Sequence, residues 1–147
     1  MRHLLYIILV TTLFYSSPAQ TFSLKDTAFV KGSVLRKNIY FGYDAFVIQP
    51  ESFLFLDSMA SFLNTNKQLQ IEVGNHNDER GSTAYSKDLT GKRAQAITDY
   101  LISKGIDKNR IVSKGYSSSS PVIVHAKTEQ EHQLNRRTEF KIIGIDK

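Results

Sequence analysis

The stretch of sequence that decides the fold is LQIEVGNHND, residues 69–78. Apolar and polar residues alternate along its first half, in the order Leu69, Gln70, Ile71, Glu72, Val73. Alternation with a period of two is typical of a strand that buries one face. The strand runs directly into a polar loop at residues 75–81. The sequence therefore predicts a half-buried strand followed directly by a loop of charged and amide side chains.

Upstream of this strand, the pattern predicts another strand and then a helix. The strand is expected from alternating apolar residues, at Leu35, Ile39, Phe41 and Tyr43. Pro50 stands where a proline is favoured in the first turn of a helix. Apolar residues then recur at helical spacing, at Phe53, Leu56, Met59 or Ala60, and Leu63.

Downstream, the sequence predicts a long helix, a third strand, a short helix and a last strand. Ser82 is a plausible N-cap of the long helix, which reaches about Lys104 and ends before Gly105. Gly91 lies inside it and should weaken it by about 1 kcal/mol relative to alanine. Residues 110–116 are the third strand. Thr128 and Glu131 form a capping-box pattern for the short helix, and alternation around Phe140 and Ile142 marks the last strand.

The expected order is β-α-β-α-β-(short α)-β, which predicts an α/β (α+β) two-layer sandwich. Its mixed sheet packs on two helices. The side chains expected between the long helix and the sheet are Leu69, Ile71, Val73, Ile97, Leu101, Phe140 and Ile142. With 147 residues, the chain has room for one such core.

The first 19 residues are typical of a secretory signal peptide. A short basic start precedes an apolar stretch of about a dozen residues, and Ser17-Pro18-Ala19 supplies the small residues of a cleavage site. The apolar stretch is too short to span a bilayer as a helix. We therefore expect an exported protein beginning at Gln20, with a lead-in segment at residues 20–34 and the domain at 35–147. The chain has no cysteine, which excludes disulfide bonds and a lipid-modified cysteine.

Charge and composition restrict the function classes. The net charge is +5, but the lysines are scattered singly along the chain, which argues against nucleic-acid binding. His76 and Asp78 lack further ligands at metal-binding spacing. Ser86 near His76 is the best nucleophile-base pair, and no oxyanion-hole pattern accompanies it. The sequence thus predicts no enzyme, no metal and no cofactor, and a mild positive field that favours a carboxylate-bearing polymer.

One arginine breaks the apolar pattern of the long helix. Arg93 shares a stripe with Leu89 and Ile97, so a charge is placed on the face expected to turn toward the sheet. Asp78 should lie near the first turns of the same helix. The two residues could form an internal salt bridge that holds the loop. Alternatively they could bind a zwitterion, with Asp78 taking an ammonium and Arg93 a carboxylate, and the residues alone leave both readings open.

Several motifs in one order resemble the peptidoglycan-binding OmpA-like (OmpA/MotB C-terminal) domain family, over roughly residues 35–144. They are Asn75-His76-Asn77-Asp78, Gly81, Tyr85-Ser86, Leu89-Thr90, Arg93-Ala94 and Asn135-Arg136-Arg137. The resemblance implies non-covalent binding of diaminopimelate in the peptidoglycan stem peptide. Asp78 and Arg93 would grip its amino and carboxylate groups, with Arg136 beside the site and Asn77 and Ser86 lining it.

The sequence departs from the family pattern at four positions. Asn75 and Asn77 replace a glycine and a threonine, Ser86 replaces an asparagine, and Gly42 stands where relatives carry an aspartate. These changes predict binding that is weaker than is typical of the family. The alternative is an envelope scaffold of the same fold that has lost peptidoglycan binding and contacts other envelope proteins. Either reading places the protein in the periplasm, at the cell wall or at the outer membrane.

Overall fold

The computed structural model describes residues 20–80 and 83–146. The signal peptide predicted at residues 1–19 and the predicted N-cap Ser82 lie outside this part of the chain. The elements are β1 Val34–Lys37, α1 Phe53–Thr65, β2 Leu69–His76, α2 Thr83–Ser103, β3 Ile111–Ser117, α3 Glu129–Asn135 and β4 Thr138–Ile145. Their order confirms the predicted β-α-β-α-β-(short α)-β arrangement.

The four strands form one mixed sheet in the order β1-β4-β2-β3. β2 and β3 run parallel, whereas β4 is antiparallel to both of its neighbours. The predicted core is confirmed, because each of its seven side chains is fully buried: Leu69, Ile71, Val73, Ile97, Leu101, Phe140 and Ile142. α1 adds Leu56, Met59 and Leu63 to the same cluster. The helices therefore cover one face of the sheet and form the second layer of the predicted sandwich.

The first strand is shorter than predicted. β1 ends at Lys37, which pairs with Thr138, the first residue of β4. Beyond this pair β1 has no partner strand, so the chain leaves the sheet although its apolar alternation continues. Phe41 makes an isolated bridge with Ile48, and Tyr43 is fully exposed. The predicted strand through Tyr43 was wrong, and residues 38–49 form a loop that returns toward α1.

The predicted lead-in segment, residues 20–34, packs on the domain. Phe22 is buried, and its ring stacks on Phe62 of α1 at 5.9 Å between centroids. Thr21 bridges to Val34, which is already the first residue of β1. This segment thus extends the hydrophobic core past the end of α1. Among residues 20–80 and 83–146, no helix has the length and apolarity to span a membrane.

Two helix ends confirm the local sequence signals. The Thr128 side chain accepts a hydrogen bond from the backbone of Glu131, and the Glu131 carboxylate accepts one from the backbone of Thr128. This is the predicted capping box, and it fixes the start of α3. After α2, Gly105 adopts a φ of 93°, the left-handed conformation for which glycine is favoured.

α2 crosses β3 at two glycines. A methyl group on Gly115 of β3 would lie 2.4 Å from the backbone nitrogen of Gly91 in α2. Beside this contact, the hydroxyl of Thr90 accepts a hydrogen bond of 3.1 Å from the backbone of Ser117. Helix backbone and strand backbone are therefore in direct contact, and this contact sets the position of α2 over the sheet.

Candidate functional site

A cavity of about 710 Å³ opens at the carboxyl-terminal end of β2. It is bounded by the loop after β1, the loop after β2, the first turns of α2, and α3. All five residues predicted for the site line it, together with one arginine that was not predicted: Asn77, Asp78, Ser86, Arg93 and Arg136, and Arg80. The fold thus brings the candidate residues together from three separate segments: the loop after β2, α2, and the end of α3.

Asp78 is the buried acid of the cavity, with 5% of its side chain exposed. One carboxylate oxygen, Oδ1, accepts the backbone N–H of Arg80 at 3.0 Å. The other, Oδ2, accepts the Arg80 side chain at 3.1 Å from Nε and 2.6 Å from Nη2. Burial by itself would raise the pKa of Asp78, but the hydrogen bonds from Arg80 and Arg136 lower it to about 2. The carboxylate is therefore charged at any pH near neutral.

Arg136 is the second cation on Asp78 and is anchored from several sides. Its Nη1 donates to Oδ2 of Asp78, and its Nη2 donates to Glu129 of α3. Gln133 accepts two further hydrogen bonds from the same guanidinium, at 3.1 and 2.6 Å. The first arginine of the Asn-Arg-Arg motif therefore lies beside Asp78, where the family resemblance places it.

Arg93 lies on the opposite side of the cavity, half-buried in α2. Its Nε donates to the backbone oxygen of Ala45 at 2.8 Å, and its guanidinium lies over the Phe41 ring at 4.9 Å from the centroid. Burial lowers the pKa of Arg93, while the charge of Asp44 opposes the shift. An arginine remains charged under such a shift. The side chain thus turns to the loop after β1. Its place on the apolar stripe had suggested that it would face the sheet instead.

The structure forms no salt bridge between Asp78 and Arg93 within the part of the chain that it describes. Asp78 is neutralised by Arg80 and Arg136, and Arg93 is held by a carbonyl and a ring. Arg93 forms no hydrogen bond through Nη1 or Nη2 with any described residue. The internal Asp78–Arg93 pair considered from the sequence is therefore absent. An acid and an arginine remain on different walls of one cavity.

The two replaced polar residues near Asp78 bond to each other. The amide of Asn77 donates to the hydroxyl of Ser86 at 3.0 Å. Asn77 is also tied to β3, because its backbone N–H donates to the carbonyl of Ser117 at 2.8 Å. Together these contacts hold the loop after β2 against the first turn of α2.

The other two departures lie at the edges of the cavity. Asn75 is buried, and its amide donates to the hydroxyl of Thr138 at 3.0 Å, so it links β2 to β4. Gly42 has room for a side chain, because an added Cβ would make only ordinary contacts of 3.4 Å with Ala45 and Gln49. Glycine at position 42, where the family pattern has an aspartate, therefore leaves the cavity with one negative charge fewer. The cavity stays open.

Sequence reasoning missed four residues of the site. Arg80 and Glu129 form an ion pair at 3.0 Å between the loop after β2 and α3. Tyr85 donates its hydroxyl hydrogen to the carboxylate of Asp44, which has a φ of 51°. Arg80 had a usable signal, since it follows Asp78 by two residues in a loop, and Tyr85 stands in the Tyr85-Ser86 motif. The others meet through tertiary structure alone.

Two other chemistries were considered from the sequence, a metal site and a nucleophile-base pair. No group of three His, Asp or Glu suited to a metal occurs among residues 20–80 and 83–146. The His76 ring stacks on Tyr116 at 4.5 Å between centroids, and its Nε2 lies 3.6 Å from Oε2 of Glu139. Among the described residues it makes no hydrogen bond to Ser86. What the cavity offers is an acid and an arginine on different segments of its lining.

The chain is also similar to known proteins in sequence. The family model described as OmpA family matches residues 40–136. Outer membrane protein A of Bordetella avium is 35% identical over 115 residues, which cover 78% of this chain and 58% of that protein. The peptidoglycan-associated lipoprotein of Pasteurella multocida is 32% identical over 99 residues, covering 67% of this chain and 65% of that protein. The chain thus spans less than two thirds of either relative.

A solved structure is similar as well. The crystal structure of the peptidoglycan-associated lipoprotein from Burkholderia pseudomallei superposes with a TM-score of 0.63 at 26% sequence identity. The superposition covers 70% of this chain and 86% of that one.

Proposed function

Since the chain belongs to the OmpA family, we propose that it binds peptidoglycan non-covalently in the bacterial cell envelope and catalyses no reaction. The ligand group is the zwitterionic end of diaminopimelate in the stem peptide. Asp78 takes its ammonium, Arg93 takes its carboxylate, and Arg136 lies beside Asp78. Asn77 and Ser86 line the space between them.

The orientation of Arg93 is the observation that carries the proposal. Its Nε is bound to Ala45 and its flat face rests on Phe41, so the guanidinium is fixed before a ligand arrives. The bond to Ala45 leaves both terminal nitrogens for a carboxylate, which accepts two parallel hydrogen bonds from such a fork. Fixing the donor in advance lowers the entropy cost of binding.

The names of the relatives support an envelope location. Bordetella avium has a protein named for the outer membrane, and Pasteurella multocida one named for peptidoglycan association. We extend this location to the present chain, with export directed by residues 1–19 and a domain that begins near residue 35. Partners other than peptidoglycan would then be envelope proteins.

A sacculus pull-down with purified protein tests the proposal. Asp78→Asn and Arg93→Ala should each abolish co-sedimentation with sacculi of the diaminopimelate type. Arg93→Lys should also bind poorly, because a lysine ammonium lacks the fork that grips a carboxylate twice. Binding by the unaltered protein should weaken as salt rises, since part of the attraction is screened.

Two neighbouring residues provide matched controls. Asp88 and Lys92 form an exposed ion pair on α2 and do not line the cavity. Asp88→Asn and Lys92→Ala repeat the charge changes and should bind as the unaltered protein does. Circular dichroism should stay native for all variants. If Asp78→Asn and Arg93→Ala bind normally, or if both unfold, the two residues are structural and the ligand site lies elsewhere. If the unaltered protein itself does not co-sediment with sacculi, the scaffold alternative is favoured.

A further inference from the structure

Oδ2 of the Asp78 carboxylate has no vacant position among the contacts of the described residues. An ionised carboxylate offers about four lone-pair sites. Oδ1 receives the backbone N–H of Arg80, and Oδ2 receives Nε and Nη2 of Arg80 and Nη1 of Arg136. The side chain of Asp78 is 5% exposed, so the approach from solvent is covered as well. A ligand ammonium reaches Oδ2 of Asp78 only if one of the two arginines gives way.

The two arginines differ in how firmly they are held. Arg136 is 26% exposed and is fixed by Gln133 and Glu129 in addition to Asp78. Arg80 is 51% exposed, and among the described residues its side chain has one partner apart from Asp78, which is Glu129 at 3.0 Å. Arg80 is therefore the cation that can move outward at low cost. Its bond from Nη1 to Glu129 can persist while Nε and Nη2 leave Asp78.

We propose that Arg80 occupies the position on Asp78 that the ligand ammonium takes, so that Arg80 competes with the ligand and is displaced when it binds. The inference rests on the function proposed above. Arg80 then determines specificity, because any ligand amine must first replace a two-bond contact. A ligand that also places a carboxylate on Arg93 offsets the free-energy cost of displacing Arg80, whereas a simple amine does not.

The sign of one substitution tests this role. Arg80→Gln removes a positive charge, so by overall charge alone it should weaken binding of an anionic ligand. If Arg80 competes for Asp78, the same change should tighten binding, by about two- to fivefold for the loss of one partly exposed charge pair. Arg80→Lys keeps the charge but cannot make the two-bond contact. Its affinity for the ligand should lie between those of the unaltered protein and Arg80→Gln.

The probe is a soluble N-acetylmuramyl tripeptide that contains meso-diaminopimelate, and its affinity is measured by calorimetric titration. Lys104→Gln is the matched control, because it removes one positive charge after the end of α2, where Lys104 pairs with Asp57 outside the cavity. It should not tighten binding. Asp78→Asn should abolish binding both alone and in combination with Arg80→Gln.

The outcomes separate this inference from the proposed function. Tighter binding by Arg80→Gln, with no gain in Lys104→Gln, supports displacement. Equal or weaker binding by Arg80→Gln overturns displacement, and if Asp78→Asn still fails to bind, the proposed function stands. If neither the unaltered protein nor natively folded Arg80→Gln binds the probe, both are overturned.

Discussion

Replacing Gly115 with alanine should destabilise the protein more than its small size suggests. The new methyl group would lie 2.4 Å from the nitrogen of Gly91 and 2.8 Å from both the Gly91 Cα and the Thr90 hydroxyl oxygen. An ordinary contact is about 3.5 Å, so α2 would have to move away from β3 by about 1 Å. The obstacle is mainly backbone, which cannot rotate aside as a side chain does.

The magnitude follows from two losses. Overpacking of this kind costs about 1 to 3 kcal/mol. Moving α2 also stretches the hydrogen bond from Ser117 to Thr90, which is fully buried, and such a bond contributes about 1 kcal/mol. Gly115→Ala should therefore lower the free energy of unfolding by about 2 to 4 kcal/mol. Equilibrium urea denaturation at neutral pH measures it.

Two other glycines serve as controls for this experiment. An added methyl group at Gly91 meets no atom within 4 Å, so Gly91→Ala should stabilise α2 by up to about 1 kcal/mol through helix propensity. At Gly144 the methyl group meets the Gln70 side chain, which can turn away, so Gly144→Ala should have a small effect. A loss below about 0.5 kcal/mol in Gly115→Ala would refute the close helix-strand approach.

Two further predictions concern acid stability and processing. The pKa of Asp78 is about 2 in the fold, below its ordinary value of 3.8. The charged carboxylate therefore contributes stability on the order of 1 to 2 kcal/mol, which is present above about pH 4 and is lost as pH falls toward 2. Urea titrations should show a flatter pH dependence for Asp78→Asn in that window, and an unchanged slope would contradict the assignment. Intact mass of the protein recovered from an envelope fraction should correspond to a start at Gln20, and a mass retaining residues 1–19 would contradict cleavage.

The sequence predicted the elements whose signals are local. β2 was readable because its alternation coincides with true half-burial, and α3 because its capping box lies within four residues. The first strand was predicted too long because Ile39 and Phe41 are apolar for another reason. Ile39 is buried in the loop after β1, and Phe41 supports Arg93. The length of β1 is set instead by the start of β4 at Thr138, about a hundred residues further along the chain.

The site was predictable as a set of residues but not as a set of contacts. Family resemblance selected Asp78, Arg93 and Arg136, and all three line one cavity. The sequence could not indicate which cation neutralises Asp78, since three arginines compete for it and the outcome depends on distances between elements. Arg80 and Arg136 both bind it, and Arg80 does so partly because its backbone also bonds to the same carboxylate, an arrangement that a loop of suitable shape makes possible.

The place of β4 in the sheet has a consequence for the order in which the molecule can assemble. β4 comes after the other strands in the chain, yet it lies between β1 and β2. A chain that emerges amino terminus first, from a ribosome or through a membrane pore, can pair β2 with β3 early, but β1 must wait for residues 138–145. Until then Arg136 cannot contact Asp78 either. β1 therefore joins the sheet in the same late step that completes the binding cavity. A nascent chain without β4 has an incomplete sheet and an incomplete cavity.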